Sequence, residues 1–394
     1  MTPTAETVII GGGVMGCSIA YNLAVRGMTS VVLLERHVLG SGATGRSTAS
    51  VHTHYSTEVL ARMARHSLQV FRNFDDVVGG ECGFTETGHL VFAGRSEYNQ
   101  IAANVALQRE TGIETSVIGQ RDAAEIAPGF HLDDCAAIVY EPLSGHADAS
   151  GTALAYATRA RQLGVKTELR SPATGLEIRV GKIASVITGQ GRVSTGRVIV
   201  AAGAWSRDFM ARHGISLPLK VTRHEVAAFR RPSGSASSFP GASDMVNQIY
   251  FRPEGGDMVL VGSGGPGELV EDPAIYGHRP AQGFIESVWT RLANRIPMMG
   301  RSEYATGFAG LYTSTPDRHP IMDRVSEIEG LYLCAGFSGH GFKLAPAVGT
   351  TMAELVLDGR SSSIDISPLR LARFAPGPNQ AQMLPLMQET DVVI

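Results

Sequence analysis

Near the start of the chain, the residues best suited to chemistry are Gly11, Gly13, Gly16 and Glu35. Val8–Gly16 reads V-I-I-G-G-G-V-M-G, an apolar strand entering a G-x-G-x-x-G turn, and Cys17–Arg26 continues as a helix-like run. The first glycine permits the tight turn, the second lets backbone N–H groups approach a pyrophosphate, and the third lets helix and strand pack closely. Val14 and Met15 sit inside the turn, where the helix N-terminus supplies partial positive charge. A second apolar strand, Ser30–Leu34, ends in Glu35 about 20 residues beyond the glycines, the place of a carboxylate that accepts hydrogen bonds from a ribose. Strand, turn, helix, strand and acid in that order predict a bound dinucleotide.

Other reactive side chains are few enough to weigh singly. Four lysines, Lys166, Lys182, Lys220 and Lys343, stand against thirty arginines. Lys343 opens a predicted helix, where a surface lysine would oppose the helix dipole, so a functional role is the more natural one. His52, His54 and Tyr55 follow a second glycine-rich loop, L-G-S-G-A-T-G-R-S, which contains Ser41, Thr44, Gly45, Arg46 and Ser47. In a strand, His52 and His54 share one face; the alternative is two satisfied or surface histidines. The four cysteines are scattered without C-x-x-C spacing, which favours small core residues over a zinc site or a disulfide framework.

These residues need elements to position them. Strands are predicted at Gly88–Gly94, Ala136–Glu141, Arg197–Ser206, Val221–Phe229 and within Gln248–Val261. Segments near 165–169, 174–180 and 182–188 read as a meander. Helices are predicted at 57–78, 96–111, 121–126, 149–163, 281–295 and 345–357. Small residues end the Arg197–Ser206 strand, so Ala202 and Gly203 let a ligand lie close to the backbone, with Trp205 beside them. The 394 residues favour two domains, and 43% apolar against 18% charged residues describe an ordinary soluble chain. A net charge of -3 gives no reason to expect nucleic acid. No apolar run approaches a transmembrane span, and no signal-peptide pattern opens the chain, so a cytoplasmic enzyme is the expectation.

Three blocks together resemble the flavin-dependent amine and amino-acid oxidases, a group that includes sarcosine oxidase, glycine oxidase, dimethylglycine dehydrogenase and D-amino acid oxidase. They are the N-terminal turn with Glu35, the strand V-I-V-A-A-G-A-W-S, and G-L-Y-T-S-T-P-D-R-H-P-I-M-D with G-F-S-G-H-G-F-K-L-A-P. The resemblance spans roughly Val8 to Gly359 and is closest to the sarcosine oxidase branch. It implies FAD, with Arg36 and Ala173 added to the cofactor contacts. Gly336, Ser338, Gly339, His340, Gly341 and Phe342 would turn backbone N–H groups toward the flavin edge where charge grows on reduction. It implies that Lys343 holds a substrate carboxylate, that His52 takes the place of an arginine, and that Tyr250 and Arg252 lie on the strand above the flavin. Arg252 then reads either as a carboxylate clamp or as a structural ion pair. Tyr312 stands where glycine oxidase has an arginine. His340 is expected to support the glycine loop, and Asp317 to be a turn residue.

Two departures stand out. Gly310 occupies the position of the cysteine that attaches FAD in monomeric sarcosine oxidases, so FAD is expected to be non-covalent. Leu260 occupies the position of an oxygen-activating lysine, so dioxygen and another electron acceptor both remain open. The expected fold is α/β with a doubly wound Rossmann-like FAD domain from residues 1–86, 146–219 and 322–374. An α+β substrate domain on an antiparallel sheet, from 87–145 and 220–321, interrupts it, and 375–394 form a tail. The expected activity is oxidation of the C–N bond of a small amine or N-substituted amino acid, with Lys343, His54, Tyr250 and Arg252 as candidate catalytic residues. The alternatives are an FAD-linked 2-hydroxy acid dehydrogenase and a flavoprotein subunit of an electron-transfer complex. His54 placed as a base for a hydroxyl proton would favour the hydroxy acid alternative.

Overall fold

The structure is a computed structural model that describes residues 3–234 and 239–375. The expected tail beyond residue 375 and residues 235–238 lie outside it.

Two sheets organise the chain. The first has six strands in the order Ile321–Arg324, Leu331–Ala335, Val198–Val200, Thr7–Ile10, Val31–Leu34 and Lys166–Glu168. All its pairings are parallel except that of Ile321–Arg324 with Leu331–Ala335. Alternation along each strand sorts the side chains onto two faces. Ile9, Leu33 and Ile199 pack against the helices Val14–Val25, Glu58–Arg72, Ala149–Gln162 and Gly341–Asp358. Val8, Ile10, Val32, Leu34, Val198 and Val200 face Leu176, Ile183, Val186 and Val193 of an antiparallel three-stranded meander. Buried on both faces, the strands read as unbroken apolar runs, as parallel sheets do.

The meander differs in one respect from expectation. Lys166–Glu168 pairs in parallel with Val31–Leu34, and the third meander strand is Gly191–Ser194. The closing helix also begins earlier, at Gly341 rather than 345, which puts Phe342 and Lys343 in its first turn. The predicted 57–78 helix breaks at Asn73 into Glu58–Arg72 and Phe74–Val77.

The second sheet has nine strands and is mostly antiparallel. It centres on the long strand Lys220–Arg230, paired with Glu303–Ser314 on one side and Met258–Ser263 on the other. Phe229, Phe251, Val259 and Val261 pack beneath it against Val288 and Leu292 of the Gln282–Arg295 helix and Ile296 just after it. The opposite face carries Val226, Ala228 and Leu260 and, by register, Tyr250 and Arg252. A small sheet of Ser50–Val51, Gly145–His146 and Thr85–Glu86 lies where the chain passes between the two large sheets. All four cysteines are free thiols.

Candidate active site

An elongated cavity of about 660 Å³ runs from the C-terminal ends of the parallel strands to the upper face of the nine-stranded sheet. This size lies within the roughly 300–1,000 Å³ typical of small-molecule sites. At one end stand Gly11, Gly13, Val14 and Met15 of the turn, Glu35 and Arg36 after the second strand, and Ser41, Thr44, Arg46 and Ser47 of the second loop. Gly11 has φ +114°, and a Cβ there would sit 2.3 Å from the Ala201 carbonyl oxygen, so only glycine makes this turn. Glu35 accepts hydrogen bonds from the Gly12 N–H at 2.8 Å and the His37 N–H at 2.7 Å, which fixes its carboxylate at the rim of the turn. The Arg36 guanidinium lies over the Trp205 ring, 4.3 Å from its centroid, a cation–π contact that fixes both side chains. Ala173, Ala202 and Gly203 complete this wall.

Gly16 and Gly45 stand behind the wall rather than in it. A Cβ at Gly16 would come within 1.9 Å of the Gly11 oxygen, and one at Gly45 within 2.7 Å of the Gly40 oxygen. Their small size closes the two loops tightly instead of meeting a ligand. The Val14 N–H donates to the Thr44 hydroxyl at 3.0 Å, tying the second loop to the first helix.

The far end is built from Gly310 and Tyr312 on one strand, Tyr250 on another, and Gly336–Lys343 at the start of the closing helix. Tyr250 and Tyr312 hydroxyls are 3.2 Å apart. Two glycines accommodate these rings: a Cβ at Gly262 would lie 2.1 Å from Tyr250, and one at Gly339 2.3 Å from Tyr312. Burial pushes both phenols up from their ordinary range. At Gly310 a Cβ would sit 3.0 Å from Arg46 atoms, so the strand runs closely against the second loop.

Lys343 is buried, with its Nζ 2.7 Å from His52 Nε2. Burial drives its pKa well below that of a free lysine, while Glu141 acts in the opposite direction. His52 stacks on His89 with ring centroids 4.5 Å apart, and its pKa is also well below normal, chiefly from burial and then from Lys343. His340 Nε2 donates to the Arg318 carbonyl at 3.0 Å, leaving Nδ1 to accept from the Tyr55 hydroxyl at 3.3 Å. His340 thereby ties the glycine-rich helix start to Arg318 and Tyr55, and it also lines the cavity.

Four residues expected at the site lie behind its surface. His52 reaches the cavity only through Lys343. Tyr55 is fully buried behind His340 and Lys343. His54 sits among Asn104 and Gln108 of the Tyr98–Glu110 helix. The shared-face picture of His52 and His54 fails because the strand ends at Val51, so the two rings turn to different neighbours. Arg252 is spent on structure: it donates to the Thr48 and Pro253 carbonyls and pairs with Glu254 at 2.5 Å. It fastens the second loop to the nine-stranded sheet and has no guanidinium edge to offer a carboxylate. Asp317 lies in its turn but is also buried against Arg373, with Oδ2 2.7 Å from Nε.

His224 was not anticipated. It lines the cavity, stacks on Tyr312 at 3.8 Å, and has Nε2 2.9 Å from the Thr222 hydroxyl. Its burial lowers its pKa to about 4, so it is neutral at physiological pH. By alternation His224 shares a strand face with Val226 and Ala228, and that placement was the available signal.

The donor set suits FAD: a glycine turn with a helix N-terminus for the pyrophosphate, Glu35 for a ribose, and a second helix N-terminus at Gly341 for the flavin. The chain spans about half the length of the curated relatives it matches. It is 29% identical over 393 residues to 4-methylaminobutanoate oxidase (formaldehyde-forming) of Paenarthrobacter nicotinovorans, covering 96% of this chain and 47% of that one. Human mitochondrial sarcosine dehydrogenase is 27% identical, with 94% of this chain and 41% of that one covered. Among solved structures, L-proline dehydrogenase from P. horikoshii superposes with a TM-score of 0.88 at 28% identity, covering 95% of this chain and 98% of that one. The FAD dependent oxidoreductase family model, DAO, matches residues 6–355, and the chain belongs to that family.

Proposed function

We propose that this protein oxidises the C–N bond of a small amine or N-substituted amino acid that carries a carboxylate. The observation that carries this reading is the placement of Lys343. It is buried in the first turn of the closing helix, at the cavity wall, beside the Tyr250–Tyr312 pair. FAD, held non-covalently, supplies the acceptor for a hydride from the carbon next to nitrogen, and the resulting imine hydrolyses. The chain's own part is to hold, orient and dry the substrate. Lys343 takes the carboxylate, and the two tyrosines and His224 close over the substrate body. The glycine-rich helix start directs its N–H groups to where negative charge accumulates.

Gly310 leaves no thiol at the attachment position, which supports non-covalent FAD. The acceptor is proposed to be one other than dioxygen, because Leu260 packs with Val226 and Ala228 where the oxidase branch has a lysine. A reducing, cytoplasmic setting accords with the free thiols.

Anaerobic mixing of the purified flavoprotein with amines, amino acids and 2-hydroxy acids tests the reading. N-alkyl amino acids are expected to bleach the flavin. Bleaching by hydroxy acids alone sinks the proposal.

A further inference from the structure

Lys343 and His52 come from opposite ends of the chain, 291 residues apart, yet meet at 2.7 Å in a buried position. No carboxylate lies within 4.0 Å of the Lys343 Nζ among the described residues. At this separation a single hydrogen bridges the two nitrogens. Two positive charges there, out of water, would repel strongly, so the couple carries at most one extra proton. The groups facing it come from every neighbouring element. His54 and Tyr55 lie on the same segment as His52, His89 stacks on His52, Glu141 ends an adjacent strand, and His340 precedes the helix. Glu141 accepts through Oε2 alone, from the Thr53 N–H and the Ser144 hydroxyl at 2.7 Å each, while its buried Oε1 lies 4.0 Å from His54 Nδ1.

An amino acid arrives as a zwitterion, but its nitrogen gives up hydride from the neighbouring carbon only when its lone pair is free. Resting on the amine-oxidation reading, we infer that the Lys343–His52 couple accepts the proton that the substrate ammonium must lose, and thereby becomes the cation that holds its carboxylate. One N–H bond breaks on the substrate and one forms on the couple. The ligand changes from neutral zwitterion to anion while the couple changes from neutral to positive, so no net charge enters the buried site. Substrate deprotonation and carboxylate capture are then a single event, and His52 is the positioning residue that accepts a hydrogen bond from the charged lysine. Burial of both nitrogens, which favours their neutral forms in the absence of an anion, supports the sequence of events.

A carboxylate without an amine isolates the effect. Titration calorimetry of the FAD-loaded protein with 2,2-dimethylpropanoate near pH 8, in two buffers of different ionisation enthalpy, counts protons. Uptake of about one proton per ligand is expected, because the ligand brings none of its own. Zero uptake, or no binding, overturns the inference. Lys343→Met must abolish the uptake; if it persists, the acceptor is Glu141 or another group and the inference fails. His52→Phe should weaken binding about tenfold and move the alkaline loss of affinity down by about one pH unit. His52→Gln, which keeps an acceptor oxygen, should restore part of both; an unchanged pH profile in both variants removes His52 from the couple. Flavin bleaching by the amine panel is scored separately, so failure of the amine reading and failure of the proton count are distinguishable.

Discussion

At the scale of single residues, Lys343 carries the sharpest expectation. Lys343→Met should lower kcat/KM for carboxylate substrates by about a hundredfold or more, the loss of a charge-assisted contact in a dry site, with unchanged flavin content. Unaltered steady-state kinetics would place the carboxylate elsewhere. Lys343 was legible in the sequence because a lysine in the first turn of a helix opposes the dipole and invites a functional explanation. Its partner was not, since no local pattern joins residue 343 to residue 52. The choice between the two readings of Arg252 has the same origin. A guanidinium in a strand reads equally as a clamp or as a structural ion pair, and only the Thr48 carbonyl, contributed by a loop some 200 residues earlier, and Glu254 favour the second. Glu35 was legible because strand and turn geometry alone determine where it stands.

At the scale of elements, the strand Met258–Ser263 concentrates two tests. Gly262 lies opposite Tyr250 in register, and the ring crosses the space where a Cβ would be. Gly262→Ala should displace Tyr250, lowering turnover about tenfold and stability by about 1–3 kcal/mol, as overpacking does. A thermal melt with steady-state rates checks both, and a variant matching wild type in both would show that the ring has room to move. Two residues earlier, Leu260→Lys should speed reoxidation of the reduced protein by air about tenfold or more, because a cation stabilises the charge formed as oxygen is reduced. Stopped-flow mixing with aerated buffer measures it; no acceleration would detach this strand from oxygen chemistry. Period-2 patterning revealed these strands, but not which glycine faces which ring. That depends on register across the sheet, which spacing along one chain does not encode.

At the scale of the whole molecule, buried histidines dominate the response to acid. Burial lowers His89 and His340 to about 3, and His54, His146 and His224 to about 4. The unfolded chain binds these protons near pH 6.5, the folded protein only far below, so the unfolded form holds more protons in between. Stability is therefore complete above pH 6.5 and falls as the pH drops toward about 3–4. Denaturant midpoints measured from pH 8 to pH 4 should decline steeply, and a flat profile would mean these rings gain solvent in solution. The two-sheet plan was visible in the sequence through its apolar runs and glycine loops. The interlocking of distant segments was not, because pairing of Val198–Val200 with Leu331–Ala335 depends on the tertiary arrangement alone. That pairing also bears on how the protein is made. The glycine turn at Gly11–Gly16 leaves the ribosome about 300 residues ahead of the strand and helix that complete its cavity, which emerge only after residue 330. A nascent chain therefore has no finished pocket until Leu331–Ala335 and Gly341–Asp358 have been made, so cofactor capture waits on the closing of these long-range pairings.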